Sequence, residues 1–269
     1  MKIIDAHIHT AFHRKDLRAL ALKQGIDFSL KGLRAEMKNS GVNFAISLAD
    51  VFKDPTPLGK GWLLEQIKDN KNVFGVLGIN PFKVNAKSIK ETEALIKKGI
   101  VKGLKIYLGY YSKYPFDKVY SKFYQMAQKY GCPVIFHTGD TLSLEGKALI
   151  KYAHPLNLDE VAVTYPKLKI IIAHAGYPWV LDAAEVAYKN KNVFVDVSGW
   201  AEGNKINPFN RRYFKEILEY AGPDKIIYGS DWPLVSMKTY LGFFKKAIPK
   251  KHWNKVFYKN AASLFKLKV

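Results

Sequence analysis

Short apolar runs recur along the chain at residues 2–8, 43–49, 72–79, 101–107, 133–137, 168–174, 192–198 and 225–230. Most are rich in Val, Ile, Leu or Phe and are bounded by Gly, Pro, Asn or Asp, which predicts buried strands set off by turns. Most of the segments between them carry helical spacing instead. Over Phe116–Lys129, the apolar residues Val119, Phe123, Met126 and Ala127 fall on an i, i+3/i+4 stripe. Residues 179–188, 213–220 and 240–247 read the same way. Eight strands alternating with helices over 269 residues predict an α/β chain forming a single-domain (β/α)8 TIM barrel over 1–269. No linker or longer repeat interrupts the pattern. A doubly wound sheet would also alternate, but no glycine fingerprint follows the first strand.

Candidate chemistry sits at the ends of those runs. In Asp5-Ala6-His7-Ile8-His9, strand residues two apart share a face, so His7 and His9 aim at one point. His137, His174 and Asp231 close the fifth, sixth and eighth runs. Four of the seven histidines therefore fall at run ends, which favours a metal site over scattered core histidines. A closed barrel makes its first and last strands neighbours and builds its site on the C-terminal ends of the strands. By alternation Asp196, in the seventh run, faces inward beside these residues.

With Asp5-Ala6-His7-Ile8-His9, His137, Ile172-Ala173-His174-Ala175-Gly176 and Gly229-Ser230-Asp231-Trp232-Pro233 in this order, the chain resembles the amidohydrolase superfamily. It is most similar to the amidohydrolase-2 branch that contains aminocarboxymuconate-semialdehyde decarboxylase. The closing Asn260-Ala261-Ala262-Ser263-Leu264-Phe265 resembles that branch's terminal helix. The resemblance implies a metal-dependent barrel whose members hydrolyse amides, esters and lactones or decarboxylate aromatic and muconate-type acids. It implies that His7, His9, His137 and Asp231 hold one divalent ion, zinc first and manganese, iron or cobalt as alternatives. His174 is implied as a catalytic group beside the ion, with service as a further ligand as the alternative.

Such an ion leaves a position for water and lowers its pKa from about 15.7 toward about 7. The expected activity is hydrolysis of a small amide, ester or lactone, with Asp231 carrying the proton and His174 facing the developing oxyanion. Non-oxidative decarboxylation of an aromatic or muconate-type acid on the same residues is the alternative. Lys105 stands on strand four, where binuclear relatives carry a carboxylated lysine between two metals. Contact with a substrate anion is the first expectation for it, and a second metal is expected only if it is carboxylated. Nuclease or phosphoesterase relatives typically carry a glutamate there, so that reading ranks lower. A non-catalytic metal-binding protein ranks lower too, because every expected ligand is present.

Lys105, Tyr107, His13, Arg14 and Trp232 are the expected substrate contacts. Asn80, Tyr110, Tyr111, Trp200, Arg211 and Arg212 also follow strand ends. The net charge is +20, yet only five of 43 basic residues are arginines, and the lysines are spread along helices. That reads as a solvated surface rather than a nucleic-acid groove, and it suits an anionic small molecule. A single cysteine, Cys132, excludes an internal disulfide and suits a reducing cytoplasm. No apolar stretch reaches the ~18 residues of a membrane span, and no signal peptide is read. A homodimer is left open.

Overall fold

The computed structural model describes residues 1–269 apart from 53, 55, 69, 143–146, 203, 204 and 207, and apart from the side chains of 202–211. Eight strands pair in parallel and in chain order: β1 Ile4–Ile8, β2 Phe44–Leu48, β3 Val73–Ile79, β4 Val101–Ile106, β5 Pro133–Phe136, β6 Lys169–Ile172, β7 Val193–Asp196 and β8 Ile226–Ile227. The ring closes along a seam between β8 and β1. There Ala6 N donates to Tyr228 O at 2.9 Å, Asp231 N to His7 O at 2.8 Å and His9 N to Trp232 O at 2.8 Å. The protein is a TIM barrel.

Helices lie between the strands. Two of them, α1 Lys15–Lys23 and α2 Leu30–Ser40, fill the first connection. They are followed by α3 Lys60–Lys68, α4 Ala86–Lys97, α5 Ser121–Tyr130, α6 Asn157–Thr164, α7 Val180–Lys189, α8 Pro208–Tyr220, α9 Met237–Ala247 and α10 Asn260–Leu264. The stripe predicted over 116–129 becomes a 3-10 turn, Lys118–Tyr120, running into α5, which buries Phe123, Tyr124, Met126 and Ala127. Gly131 stops α5 in the left-handed conformation, φ +62°, which costs glycine little.

Two predicted strands end early for one backbone reason. The run 168–174 stops at Ile172, because His174 and Ala175 turn left-handed at φ +57° and +47°. The run 225–230 is regular only over Ile226–Ile227, and Asp231 turns left-handed at φ +66°. Non-glycine residues pay for that conformation, and such strain gathers at functional sites.

Alternation fills the barrel and aims the site. Ile4, Ala6, Ile46, Leu48, Val76, Ile135, Ile171 and Ile227 pack into one buried cluster, onto which α10 lays Ala261 and Leu264. In β1 the register runs Ile4↔Phe44 and Asp5↔Ala45, then skips to Ile8↔Ser47. Ala6 and His7 together therefore oppose the single residue Ile46, which is a β-bulge. The extra residue shifts the alternation, so Ile4 and His7 both turn into the barrel while Asp5 faces its wall.

Trp232, expected beside the substrate, packs elsewhere. Its indole is fully buried against Phe28, with ring centroids 5.4 Å apart, and meets Phe12 at 6.4 Å. Ile8, its neighbour across the seam, packs into the same outer core, so Trp232 belongs to the wall between barrel and helices, not to the mouth. Trp232→Ala is expected to cost about 3–5 kcal/mol of unfolding free energy, as large-to-small changes of buried aromatics do. Urea denaturation followed by circular dichroism measures it, and a loss below about 1 kcal/mol would contradict this packing.

Candidate metal centre

At the C-terminal ends of the strands a cluster of acids and imidazoles meets at the seam. His9 Nε2 lies 3.2 Å and His7 Nε2 3.6 Å from Asp231 Oδ1. His7 and Asp231 are buried and His9 is partly so. The other nitrogen of His7 is spoken for. His7 Nδ1 lies 2.7 Å from Asp196 Oδ2 and 3.0 Å from Ser198 Oγ, whose hydroxyl donates to Asp196 Oδ1. His7 thus donates Nδ1–H to Asp196 and leaves Nε2 as a bare lone pair, an orientation typical of metal-binding histidines.

That lone pair points at a carboxylate oxygen that also lacks a hydrogen-bond donor. Both His7 Nε2 and Asp231 Oδ1 are buried with no hydrogen-bond partner. Two acceptors facing each other out of water are costly unless a cation lies between them. Nitrogen and oxygen donors from His7, His9 and Asp231 suit zinc or a neighbouring first-row divalent ion. The residues present fit a divalent metal.

His174 and His137 form the flank. His137 Nε2–H donates to Asp140 O at 3.0 Å, which leaves Nδ1 to accept from His174 Nε2 at 3.1 Å. His174 Nδ1 then faces Ser198 Oγ at 3.0 Å and Asp231 Oδ2 at 4.0 Å. His174 and Asp196 also form a second group with His7 whose ligand atoms lie within 4.8 Å of one another. His137, expected beside His7 and His9, is in neither group among the described residues. Its free nitrogen is taken by His174.

Burial sets the charge states. Desolvation lowers the His7 and His137 pKa values, and it pulls His174 down to about 4 against the opposing charge of Asp231. These three imidazoles are therefore neutral at pH 7, the form that binds metal. Burial works against ionisation of Asp231 and Asp196 as well. The imidazoles around Asp231, His9 foremost, and the His7 contacts of Asp196 outweigh it, and both stay well below the usual carboxylate range. Lys105 Nζ is fully buried with no acceptor, and desolvation draws it down to about 8 although Asp196 and Asp231 favour its charge.

Other expected contacts are placed as follows. Tyr107 is buried, donates to Ala49 O at 2.7 Å, and lies with its ring centroid 5.4 Å from Lys105 Nζ. His13 stacks on Trp62 with centroids 4.4 Å apart. Arg14 is engaged by carboxylates: Nη1 donates to Asp50 at 2.7 Å and Nε to Asp16 at 2.8 Å. A guanidinium so committed is a tie between loops. Arg212 pairs with Glu216 at the surface, and the Arg211 side chain lies outside the described residues.

Comparison with known proteins places the chain in a family. A family model described as amidohydrolase matches residues 4–267. The chain belongs to the amidohydrolase family. The amidohydrolase fold also aligns with an uncharacterised TIM-barrel protein from Bordetella bronchiseptica, at 18% identity over 99% of each chain and a TM-score of 0.79. A probable 2-pyrone-4,6-dicarboxylic acid hydrolase from Acinetobacter baumannii, solved with citric acid bound, aligns at 17% identity over 99% of this chain and 100% of that one, TM-score 0.73. A dihydroxybenzoic acid decarboxylase from Polaromonas, with bound manganese and 2-nitroresorcinol, aligns at 17% identity over 100% and 98%, TM-score 0.70. At these identities the structures establish the fold alone. By sequence, an L-fucono-1,5-lactonase from Burkholderia ambifaria is 29% identical over 111 residues, which is 35% of this chain and only 37% of the lactonase.

Sequence reasoning missed how the histidines are held. Ser198 bridges two of them, Gly199 makes room for them, and Trp200 Nε1 donates to His174 O at 2.7 Å. Extending the Asp196 alternation by one step would have pointed Ser198 inward. Gly199, at φ +71°, has no such signal; a Cβ there would lie 2.7 Å from His174 Nδ1 and 3.2 Å from Asp231 Oδ2. Gly199→Ala is expected to weaken zinc or manganese binding about 10–100-fold, as changes around metal ligands do. Titration calorimetry reads this, and unchanged affinity would show that the clash is relieved elsewhere.

The shifts also fix a pH dependence for the metal-free protein. His7, His137 and His174 resist protonation only when folded, so their contribution is complete above about 6.5; that of His174 is lost as pH falls through about 4, and those of His7 and His137 are lost on the same acid side. Asp5 opposes this. Burial raises its carboxyl to about 7, so its neutral form favours the fold increasingly as pH drops below 7. Chemical denaturation between pH 7 and 4.5 should show falling stability, and a steeper fall in Asp5→Asn, which removes the opposing group. An equal slope in the variant would refute the Asp5 assignment.

Proposed function

We propose that this amidohydrolase hydrolyses a small amide, ester or lactone at the seam cluster, with a divalent metal held by His7, His9 and Asp231. The observation that carries the reading is the pair of buried, partnerless acceptors His7 Nε2 and Asp231 Oδ1, 3.6 Å apart. His137 completes the ligand set once its hydrogen bond with His174 yields. A divalent ion supplies Lewis acidity toward a carbonyl and toward water. Zinc is the first choice from the imidazole-rich donors, with manganese, iron or cobalt as alternatives. A second ion enters only if Lys105 is carboxylated.

The protein's own groups do the rest. Asp196 and Ser198 lock His7 in one tautomer. Asp231, which binds protons weakly, passes on readily any proton it accepts at Oδ2. His174 is neutral, and its bare Nδ1 lies 4.0 Å from Asp231 Oδ2, within reach of that proton; once it holds the proton it can face charge developing on substrate oxygen. Lys105 is a buried cation lacking an acceptor, so an anionic group on the substrate meets an unmet demand there. Tyr107 and His13 would line the approach. The single, buried Cys132 supports a cytoplasmic setting, and no helix among the described residues is long and apolar enough to cross a membrane.

Decarboxylation of a carboxylic acid is the second reading, favoured by the same Lys105 ammonium as a carboxylate anchor. Elemental analysis of the purified protein should find about one divalent metal per chain, lost in the His7→Ala/His9→Ala variant. Asp231→Asn should lower kcat at least about 100-fold with bound metal still measurable. A panel of lactones, esters, amides and aromatic acids, read by proton release and by carbon dioxide release, separates the two reactions. Full activity in Asp231→Asn, or a metal-free active protein, would overturn both.

A further inference from the structure

We propose that Phe52 is a specificity-determining ring of this site, held at the barrel mouth by an Arg14–Asp50 clamp, and that it receives the non-reacting, apolar face of the substrate. The inference rests on the proposed function for the position of the reacting carbonyl.

Phe52 follows the end of β2 by four residues and is 38% exposed, an unfavourable place for a phenyl ring with no partner to cover it. It does not hang free. Its ring meets Tyr107 at 4.9 Å, Tyr110 at 5.1 Å and, stacked at 22°, Tyr111 at 5.7 Å. Tyr110 in turn lies 4.8 Å from the His137 ring. A continuous row of rings therefore leads from the cluster imidazoles to solvent. Tyr107 spends its hydroxyl proton on Ala49 O, and the Tyr110 hydroxyl oxygen accepts from Leu142 N at 2.8 Å. The faces of these rings offer a ligand apolar surface.

The backbone of Phe52 is also fixed. Asp50 Oδ1 accepts Phe52 N–H at 2.8 Å, and Asp50 Oδ2 accepts Arg14 Nη1 at 2.7 Å. Arg14 and Asp50 are each only 8% exposed, and the guanidinium carbon lies 5.8 Å from the Phe52 ring centroid. A buried guanidinium, with Nη1 on Asp50 and with Nε and Nη2 on Asp16, thus joins the loop after β1 to the loop after β2 and carries Phe52 with it. An exposed ring ordered in advance loses little freedom when a ligand settles on it, so its contact area is converted into selectivity. Arg14 is a positioning residue in this account.

The test compares δ-valerolactone with dihydrocoumarin, the same six-membered lactone with and without a fused benzene ring, on the metal-loaded full-length protein. Titration calorimetry with acetate and benzoate runs beside it. Wild type should favour the ring-bearing member of each pair. Phe52→Ala should cut that preference roughly three- to tenfold, the range expected for one aromatic contact, whereas Phe52→Trp should keep it. Arg14→Lys retains charge but not the fork, and should lower the same ratio, which a mere loss of stability would leave alone. Turnover of both lactones with a ratio unmoved by Phe52→Ala overturns the proposal, and an unmoved ratio in Arg14→Lys overturns the clamp. If neither lactone is turned over, the hydrolase reading fails and the benzoate-to-acetate binding ratio decides the role of Phe52. Absence of any binding preference in wild type then counts against it.

Discussion

Three backbone hydrogen bonds across the β1–β8 seam bring Ala6, His7 and His9 against Tyr228, Asp231 and Trp232. The candidate metal centre depends on them, because its donors come from opposite ends of the chain. The β1 bulge adds the second half of the constraint. Without the extra residue opposite Ile46, the alternation that packs Ile4 inward would turn His7 into the wall. Closure and bulge together set His7, His9 and Asp231 around one point, and the left-handed Asp231 is held there by its own N–H on His7 O.

Electrostatic order then follows from burial. A fully buried carboxylate beside neutral imidazoles would be expensive in isolation. Asp196 is satisfied by His7, Ser198 and the backbone N–H of Ser198, so it becomes a fixed acceptor that decides which His7 nitrogen is free. Asp231 is left with an oxygen that the protein does not satisfy, and Lys105 with an ammonium that it does not satisfy. One calls for a cation and the other for an anion.

The strong positive charge plays a different part. The described lysine ion pairs lie on the outside, as between Lys60 and Glu91, Lys129 and Glu93, or Lys189 and Asp159. Such exposed pairs contribute little stability. The surplus lysines surround a barrel that buries one lysine, Lys105, without an acceptor, and Arg14 is tied to Asp50 and Asp16.

The eight strands, their order around the barrel and the placing of His7, His9, His137, His174 and Asp231 at strand ends were legible in the sequence. These features are local: apolar runs of strand length, turn residues beside them, and histidines where the runs stop. Strand ends were less legible where His174 and Asp231 leave the extended conformation, since nothing in those residue types announces a positive φ. What only the tertiary structure decided depends on partners far away in the chain. Asp196 chooses the free nitrogen of His7, His174 occupies the free nitrogen of His137, Phe28 and Phe12 draw Trp232 into the wall, and Asp50 claims Arg14. Residue type states what a side chain can bind; which of its atoms remains available is settled only when the folded chain has satisfied the others.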